Sequence, residues 1–208
     1  MVPDCDVAII GAGITGLASA YHIKREKPDL RVSIIDRNSS YAQGNTAKSV
    51  AGYRDLFTSD INRKISGSSI AFYKNVQQDL HFDLGMHFNG YLFLMDRKRL
   101  DQDAVKTFIS EGRAEIVPEG RIASMGYSTK PGREEKELMQ LSDIDGALLG
   151  YNCGIIEPDR ICSFYEKELR TMGVEFHYNT EVRGLRFEPQ FRLNYPGEPF
   201  LWQQREMR

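Results

Sequence analysis

Three glycines, Gly11, Gly13 and Gly16, follow directly on the apolar run Val7-Ala8-Ile9-Ile10, and a second such run, Val32-Ser33-Ile34-Ile35, ends in Asp36. A short, partly β-branched apolar run reads as a strand buried on both faces of a parallel sheet. Gly11 lets the chain turn sharply where that strand ends. Gly13 has no side chain to keep a ligand off the backbone, and Gly16 permits close contact between the following helix and the strand. The helix predicted from Ile14 carries Ile14, Leu17, Ala18 and Tyr21 on one face, and the small Ala18 and Ala20 let it lie close to the sheet. Its first turn presents backbone N–H groups and the positive end of the helix dipole, which suit a phosphate.

Asp36 stands 20 residues after Gly16, the spacing at which an acid meets ribose hydroxyls in dinucleotide-binding folds. Its negative charge disfavours a 2′-phosphate and hence NADP. A glycine-rich turn alone also occurs in unrelated proteins. Strand, glycines, amphipathic helix, second strand and terminal acid in this order make an adenine dinucleotide the expectation.

The 208 residues suffice for one large or two small domains, and 41% hydrophobic with 27% charged residues is a globular composition. A net charge of −2 carries no basic excess for nucleic acid and no charge block for a tail. No apolar run approaches the length of a transmembrane segment, and the first residues run straight into a strand, which leaves no room for a secretory leader. Cys5, Cys153 and Cys162 match no metal motif and, being odd in number, no disulfide framework. A cytoplasmic setting is therefore expected. His22, His81, His87 and His177 are scattered without ligand spacing, so no metal site is expected.

Residues 37–49 are polar and turn-rich around Gly44-Asn45-Thr46. A helix is predicted from Asp60, capped by Ser59 or Asp60, with Ile61, Ile65, Phe72, Val76 and Leu80 as its core stripe. A strand is predicted over residues 89–95. Residues 100–149 mix helical stretches, charge and glycines, and read as the edge region of a second domain. From Pro158 a helix with Ile161, Tyr165, Leu169 and Met172 on one face ends at Gly173. Val174-Glu175-Phe176 and Glu181-Val182 then read as strand pieces, so that helix-then-strand repeats as in a parallel α/β sheet. The tail from Pro189 carries three prolines and shows no recognisable element.

With the glycines, Asp36, residues 44–54 and the return over residues 173–182, the chain resembles the amino-terminal part of the D-amino-acid-oxidase-type FAD-dependent oxidoreductases. The resemblance lies in the branch of sarcosine oxidase, glycine oxidase and dye-linked L-proline dehydrogenase. It is strong over residues 6–56, fair over 151–188 and weak between them. It implies a Rossmann-like α/β domain with a partial doubly wound parallel sheet, joined to part of an α+β substrate domain. The FAD-binding domain would be discontinuous and incomplete, over residues 1–84 and 152–188, with the partial substrate domain over 85–151 and an irregular tail over 189–208.

The resemblance also implies the cofactor, FAD, and its contacts. The pyrophosphate would meet Gly11, Ala12, Gly13, Ile14, Thr15 and Gly16. The ribose would meet Asp36 with Arg37 beside it, and Val182 would contact adenine through its backbone. Residues 44–52, from Gly44 on, would wrap the phosphates and approach the ring, with donors from Asn45, Thr46, Lys48 and Ser49 and close approach at Ala51 and Gly52. By sequence alone that stretch is a plain polar surface loop, and Val182 a core strand residue. Arg54 stands where the sarcosine oxidase branch holds the substrate carboxylate, a task that suits a bidentate guanidinium; the other reading is a solvated arginine. The loop lacks the histidine through which dimethylglycine-dehydrogenase-like members attach flavin. Ala51 stands where sarcosine oxidase carries a further arginine, which speaks against strict sarcosine specificity.

Members of this family continue for about as much chain again. Strands near Val7, Val32 and Val174 would build one half of the sheet and leave Val7–Ile10 with a bare apolar edge, which natural proteins avoid. A second chain, the tail or further sequence is expected to cover it. The expected activity is oxidation of the C–N bond of an amino acid or secondary amine, with no catalytic base visible in the sequence. The alternative is a non-catalytic nucleotide-binding subunit or truncated product that needs a partner chain.

Overall fold

The computed structural model describes residues 4–186, and the tail expected over 189–208 lies outside them. In chain order the elements are β1 (Val7–Ile10), α1 (Ile14–Glu26), β2 (Val32–Ile35), a 3-10 turn (Thr46–Lys48), β3 (Gly52–Tyr53), α2 (Asp60–Gln78), β4 (Tyr91–Met95), α3 (Arg97–Leu100) and α4 (Asp103–Ser110). They continue with β5 (Ala114–Pro118), α5 (Glu119–Ser124), α6 (Arg133–Met139), β6 (Gly146–Gly150), β7 (Gly154–Ile155), α7 (Pro158–Thr171) and β8 (Glu175–His177). These form two compact units: residues up to Tyr41 with those from Leu169 onward, and Ala42–Glu168.

The first unit is a parallel sheet in the order β1-β2-β8, with Val7 opposite Val32 and Ile34 opposite Phe176. β2 is buried along its whole length because it has a neighbour on each side. β1 differs from the expectation of a strand buried on both faces. Among the described residues it pairs with β2 only, and Ile10 is 58% exposed. α1 buries Leu17, Ala20, Tyr21 and Lys24. The buried Lys24 ammonium donates to the carbonyls of Pro28 and Leu30, the latter at 2.9 Å, so the cation is hydrogen-bonded where it leaves water. Glu181 and Val182, expected to form a strand, are irregular. The reason is local: Asn179 adopts a left-handed conformation, and the Asn179 and Thr180 N–H groups donate to the carbonyls of Asn38 and Asp36. The chain thus folds back over the end of β2 instead of extending β8.

The second unit holds an antiparallel sheet in the order β4-β6-β5 and a short antiparallel ribbon of β3 with β7. Register alternates the side chains between two covered faces. Leu148 and Ala114 pack with Val105 and Phe108 of α4 on one face, and Ala147 and Val117 pack with Ile122 of α5 on the other. Residues 100–149 thus hold more than an edge region: β5 lies at the edge of this sheet, but β6 is its central strand. Its sequence, Gly-Ala-Leu-Leu-Gly, is small enough to lie between two helical layers, and its glycines hide it from a propensity reading.

α2 begins at Asp60 after Ser59, as expected, and of the expected stripe only Phe72 and Val76 face a packed surface. Ile61, Ile65 and Leu80 are mostly exposed, while Ile70 and Val76 are buried. The helix turns toward α7. Phe72 stacks on Tyr165, the Tyr165 hydroxyl meets that of Tyr73 at 3.2 Å, and Phe164 packs edge-on against Phe82. Such ring pairs stabilise by about 0.5–1.5 kcal/mol each beyond their burial, which outweighs two isoleucines left in water on the far side. α7 buries Ile161, Tyr165 and Leu169 as the spacing predicts. Burial pushes the Cys162 thiol on this helix up to about 12, which keeps it protonated and unreactive.

Gln77, the last buried polar contact of α2, grips the following loop. Its Oε1 accepts the N–H groups of Leu84 at 3.2 Å and Met86 at 2.8 Å, and its Nε2 donates to the Met86 carbonyl at 3.0 Å. Gln77→Ala would leave backbone donors of two buried residues without partners, so it should lower stability by about 2 kcal/mol. Urea unfolding of the variant against the parent checks this, and an unchanged midpoint would contradict it.

Candidate functional site

β1 ends at Ile10 and the chain enters its turn at Gly11, whose φ of 106° no residue with a side chain adopts without strain. The Gly11 N–H donates to the Ile35 carbonyl at 2.8 Å, which continues the ladder one residue past the strand. Gly16 then passes so close to the turn that a Cβ there would lie 2.0 Å from the Gly11 carbonyl oxygen. Helix and turn therefore touch through backbone alone. α1 starts from Gly13, its first intrahelical bond is Leu17 N–H to the Gly13 carbonyl at 3.0 Å, and no acidic residue stands in its first turn. An anion beyond Gly13 meets the helix dipole without a competing carboxylate on that turn.

Ala12 is fully buried, and its N–H donates to Asp36 Oδ2 at 2.7 Å. That N–H is thus committed to the acid, and Ala12 shapes the turn. The other Asp36 oxygen accepts the Asn38 N–H at 2.8 Å. Each carboxylate oxygen has a second acceptor position, so the acid retains capacity for ribose hydroxyls. The Asp36 backbone is tied as well, its N–H to the His177 carbonyl at 3.0 Å and its carbonyl to the Thr180 N–H at 2.9 Å. Around it lies an open cleft of about 240 Å³ that brings together Gly11, Asp36, Arg37 and Val182 with Asn38 and Thr180. Four of these six were expected from the sequence. Asn38 could have been found from the Asp-x-Asn turn it closes, whereas Thr180 arrives through the left-handed turn at Asn179, which no local signal marks.

Residues 44–54 belong to the second unit. Gly44, Asn45, Lys48 and Ser49 are exposed and Thr46 is half-buried in and around the 3-10 turn. The Ser49 hydroxyl accepts the Ala51 N–H at 3.0 Å, and the Ala51 carbonyl accepts the Ile156 N–H at 3.2 Å. Ala51 itself sits at φ 42°, a strained left-handed conformation for a residue with a side chain. Gly52 was expected to leave room for a ligand. A Cβ on it would instead lie 1.8 Å from the Tyr91 hydroxyl, so the space beside Gly52 belongs to Tyr91. Tyr53 donates its hydroxyl to the His87 carbonyl at 2.9 Å, and burial pushes its phenol up to about 12.

Arg54 is exposed. Its guanidinium lies over the Phe57 ring at 5.2 Å and near the Phe93 ring at 5.9 Å, with no carboxylate in ion-pair contact among the described residues. Also among the described residues, no group of histidine, cysteine or carboxylate side chains is arranged to hold a metal ion. No described helix is long and apolar enough to cross a membrane.

A parallel sheet whose first strand turns through glycine into a helix start, with an acid closing the second strand, defines a flavoprotein-type adenine-dinucleotide site. The chain belongs to the FAD dependent oxidoreductase (DAO) family, whose pattern matches residues 6–198, and its cofactor is FAD. It is 28% identical over 185 residues to the FAD-dependent oxidoreductase domain-containing protein 1 of Bos taurus, covering 82% of this chain and 36% of that protein. It is 26% identical over 190 residues to the sarcosine oxidase subunit beta of Rhodobacter capsulatus, covering 88% and 44%. The fold is shared with the L-proline dehydrogenase of P. horikoshii, at a TM-score of 0.69 and 19% identity, over 90% of this chain and 47% of that one. The chain thus spans less than half the length of these relatives.

The residues present fit FAD: a backbone cradle that a Cβ would fill, a helix start free of acid, and a carboxylate with acceptor capacity beside an open cleft. Gly16→Ala should push the helix off the turn and weaken FAD binding by roughly tenfold or more, with a fall in stability of about 1–3 kcal/mol from overpacking. Flavin fluorescence titration with thermal unfolding measures both, and wild-type affinity in the variant would refute the cradle.

Proposed function

We propose that the protein oxidises the C–N bond of an amino acid or secondary amine of the sarcosine, proline or glycine type. The observation that carries this reading is Arg54: a guanidinium backed by aromatic rings and without an ion pair among the described residues suits a carboxylate. The names of the relatives, a sarcosine oxidase subunit and a proline dehydrogenase among them, support an amino-acid substrate. Bound FAD supplies a two-electron acceptor for the hydride that leaves the carbon next to nitrogen. The residues of this chain bind and orient. The α1 start with Gly11, Gly13, Ile14, Thr15 and Gly16 would hold the pyrophosphate, and Asp36 with Arg37 the ribose. Val182 would border the adenine, and residues 44–52 would border the rest of the cofactor. Arg54 would hold the substrate carboxylate, and an amine that binds neutral needs no base from this chain.

Arg54→Met should raise KM for the responding amino acid roughly 10- to 100-fold, the value of a charge-assisted contact, while the flavin absorbance stays. Dye-linked assays with sarcosine, L-proline and glycine check this. An unchanged KM would remove Arg54 from substrate binding.

A second reading, a nucleotide-binding chain that acts with a partner, is favoured by the edge of β1, which pairs on one side only among the described residues, and by the exposed Ile10. It expects FAD binding without turnover until a second chain is added. Dye reduction by the purified protein alone would sink it.

A further inference from the structure

Arg54 and its neighbour Asp55 meet opposite surroundings. Arg54 is exposed, whereas the Asp55 side chain is only 13% exposed. The Asp55 carbonyl accepts the Phe57 N–H at 2.9 Å, a tight turn in the stretch that carries both Arg54 and the Phe57 ring lying 5.2 Å from its guanidinium. The same carbonyl accepts a hydrogen bond from Nη2 of Arg113, and that nitrogen also lies 3.5 Å from Asp55 Oδ2. Asn152 donates its Nδ2 to the same Oδ2 at 2.8 Å. The other oxygen, Oδ1, is buried and has no hydrogen-bond partner among the described residues, so the charge of Asp55 depends on Arg113 for compensation.

Arg113 is itself fixed. Its Nη1 meets Glu111 Oε2 at 3.1 Å, its guanidinium lies 5.4 Å from the centre of the Phe108 ring, and its carbonyl accepts the Tyr151 N–H at 3.1 Å. Two of its contacts thus converge on the one peptide whose geometry sets both Arg54 and the ring beneath it. An arginine held against a ring loses less freedom on binding than one left to sample rotamers.

We propose that Arg113, with Asn152, is a positioning residue for carboxylate recognition: it locks the turn after Arg54 and so aims the Arg54 guanidinium at the ligand. This rests on Arg54 being the carboxylate site. Arg113 acts here through Asp55 and not by its own contact with the ligand. A lysine in its place keeps the charge but cannot serve the carbonyl and the carboxylate together with a planar fork.

The test uses the FAD-loaded full-length protein and two probes of one shape, benzoate and neutral benzamide, titrated by calorimetry. Wild type should prefer benzoate, and Arg54→Met should erase the preference. If wild type shows no preference, or Arg54→Met keeps it, the Arg54 reading falls and this inference with it. Given that result, Arg113→Lys should weaken benzoate roughly tenfold and leave benzamide unchanged, the signature of a misaimed guanidinium. A general loosening of the fold would weaken both probes alike. Asn152→Ala removes one neutral donor and leaves the ion pair, and it should shift benzoate in the same direction by a smaller factor. It serves as the deciding variant should Arg113→Lys fail to fold. Full benzoate preference in a folded Arg113→Lys protein, or in Asn152→Ala where that variant decides, would overturn the inference while leaving Arg54 in place.

Discussion

The Asp36 carboxylate holds the nucleotide end of the first unit together. One oxygen accepts the Ala12 N–H from the glycine turn and the other accepts the Asn38 N–H two residues on, while the Asp36 peptide bonds to His177 and Thr180. Hydrogen bonds to a charged acceptor contribute about 1.5–3 kcal/mol each, roughly twice a neutral pair. The glycine turn, the end of β2 and the chain after β8 are therefore tied through a single residue. The acid that closes the second strand thus also fixes the glycine turn at the end of the first.

This double duty explains why the nucleotide end was legible in the sequence. Gly11, Gly16 and Asp36 act through backbone geometry and short-range contacts, so their types and spacing carry the information. A Cβ at Gly16 would strike the Gly11 carbonyl whatever the remainder of the chain did. The same holds for α7, where Pro158 and Gly173 bound an apolar face that ends up buried. The order β1-β2-β8 follows from the same strand-helix-strand rhythm.

Where the sequence misled, a non-local contact decided. The expected stripe of Ile61, Ile65, Phe72, Val76 and Leu80 holds only in part: Phe72 packs on Phe164 and Tyr165 of α7 and Val76 is buried, while Ile61, Ile65 and Leu80 stay mostly exposed. Spacing locates a helix but cannot say how much of its apolar face finds a partner. β6 was hidden for a related reason, since Gly146, Ala147 and Gly150 are small only because helices cover both faces of the strand they form. Val182 borders the same cleft as Asp36 and Arg37, brought there by a left-handed turn at Asn179 and not by the strand expected.

The stretch from Gly44 to Phe57 combines both situations. Its sequence reads as a polar loop, and no regular element longer than three residues organises it. Its shape comes from outside. Tyr91 fills the space beside Gly52, Ile156 holds the strained Ala51, and Arg113 with Asn152 hold Asp55. A loop tied at three points can keep a non-glycine residue at positive φ, because the contacts over-determine its backbone. The nucleotide end relies on glycine backbone and on one acid, Asp36, that ties it. Arg54 relies on side chains drawn from β4, the turn before β5 and the turn after β6. The contacts that set Arg54 can therefore change while the glycine fingerprint stays intact, because the two are shaped by different residues.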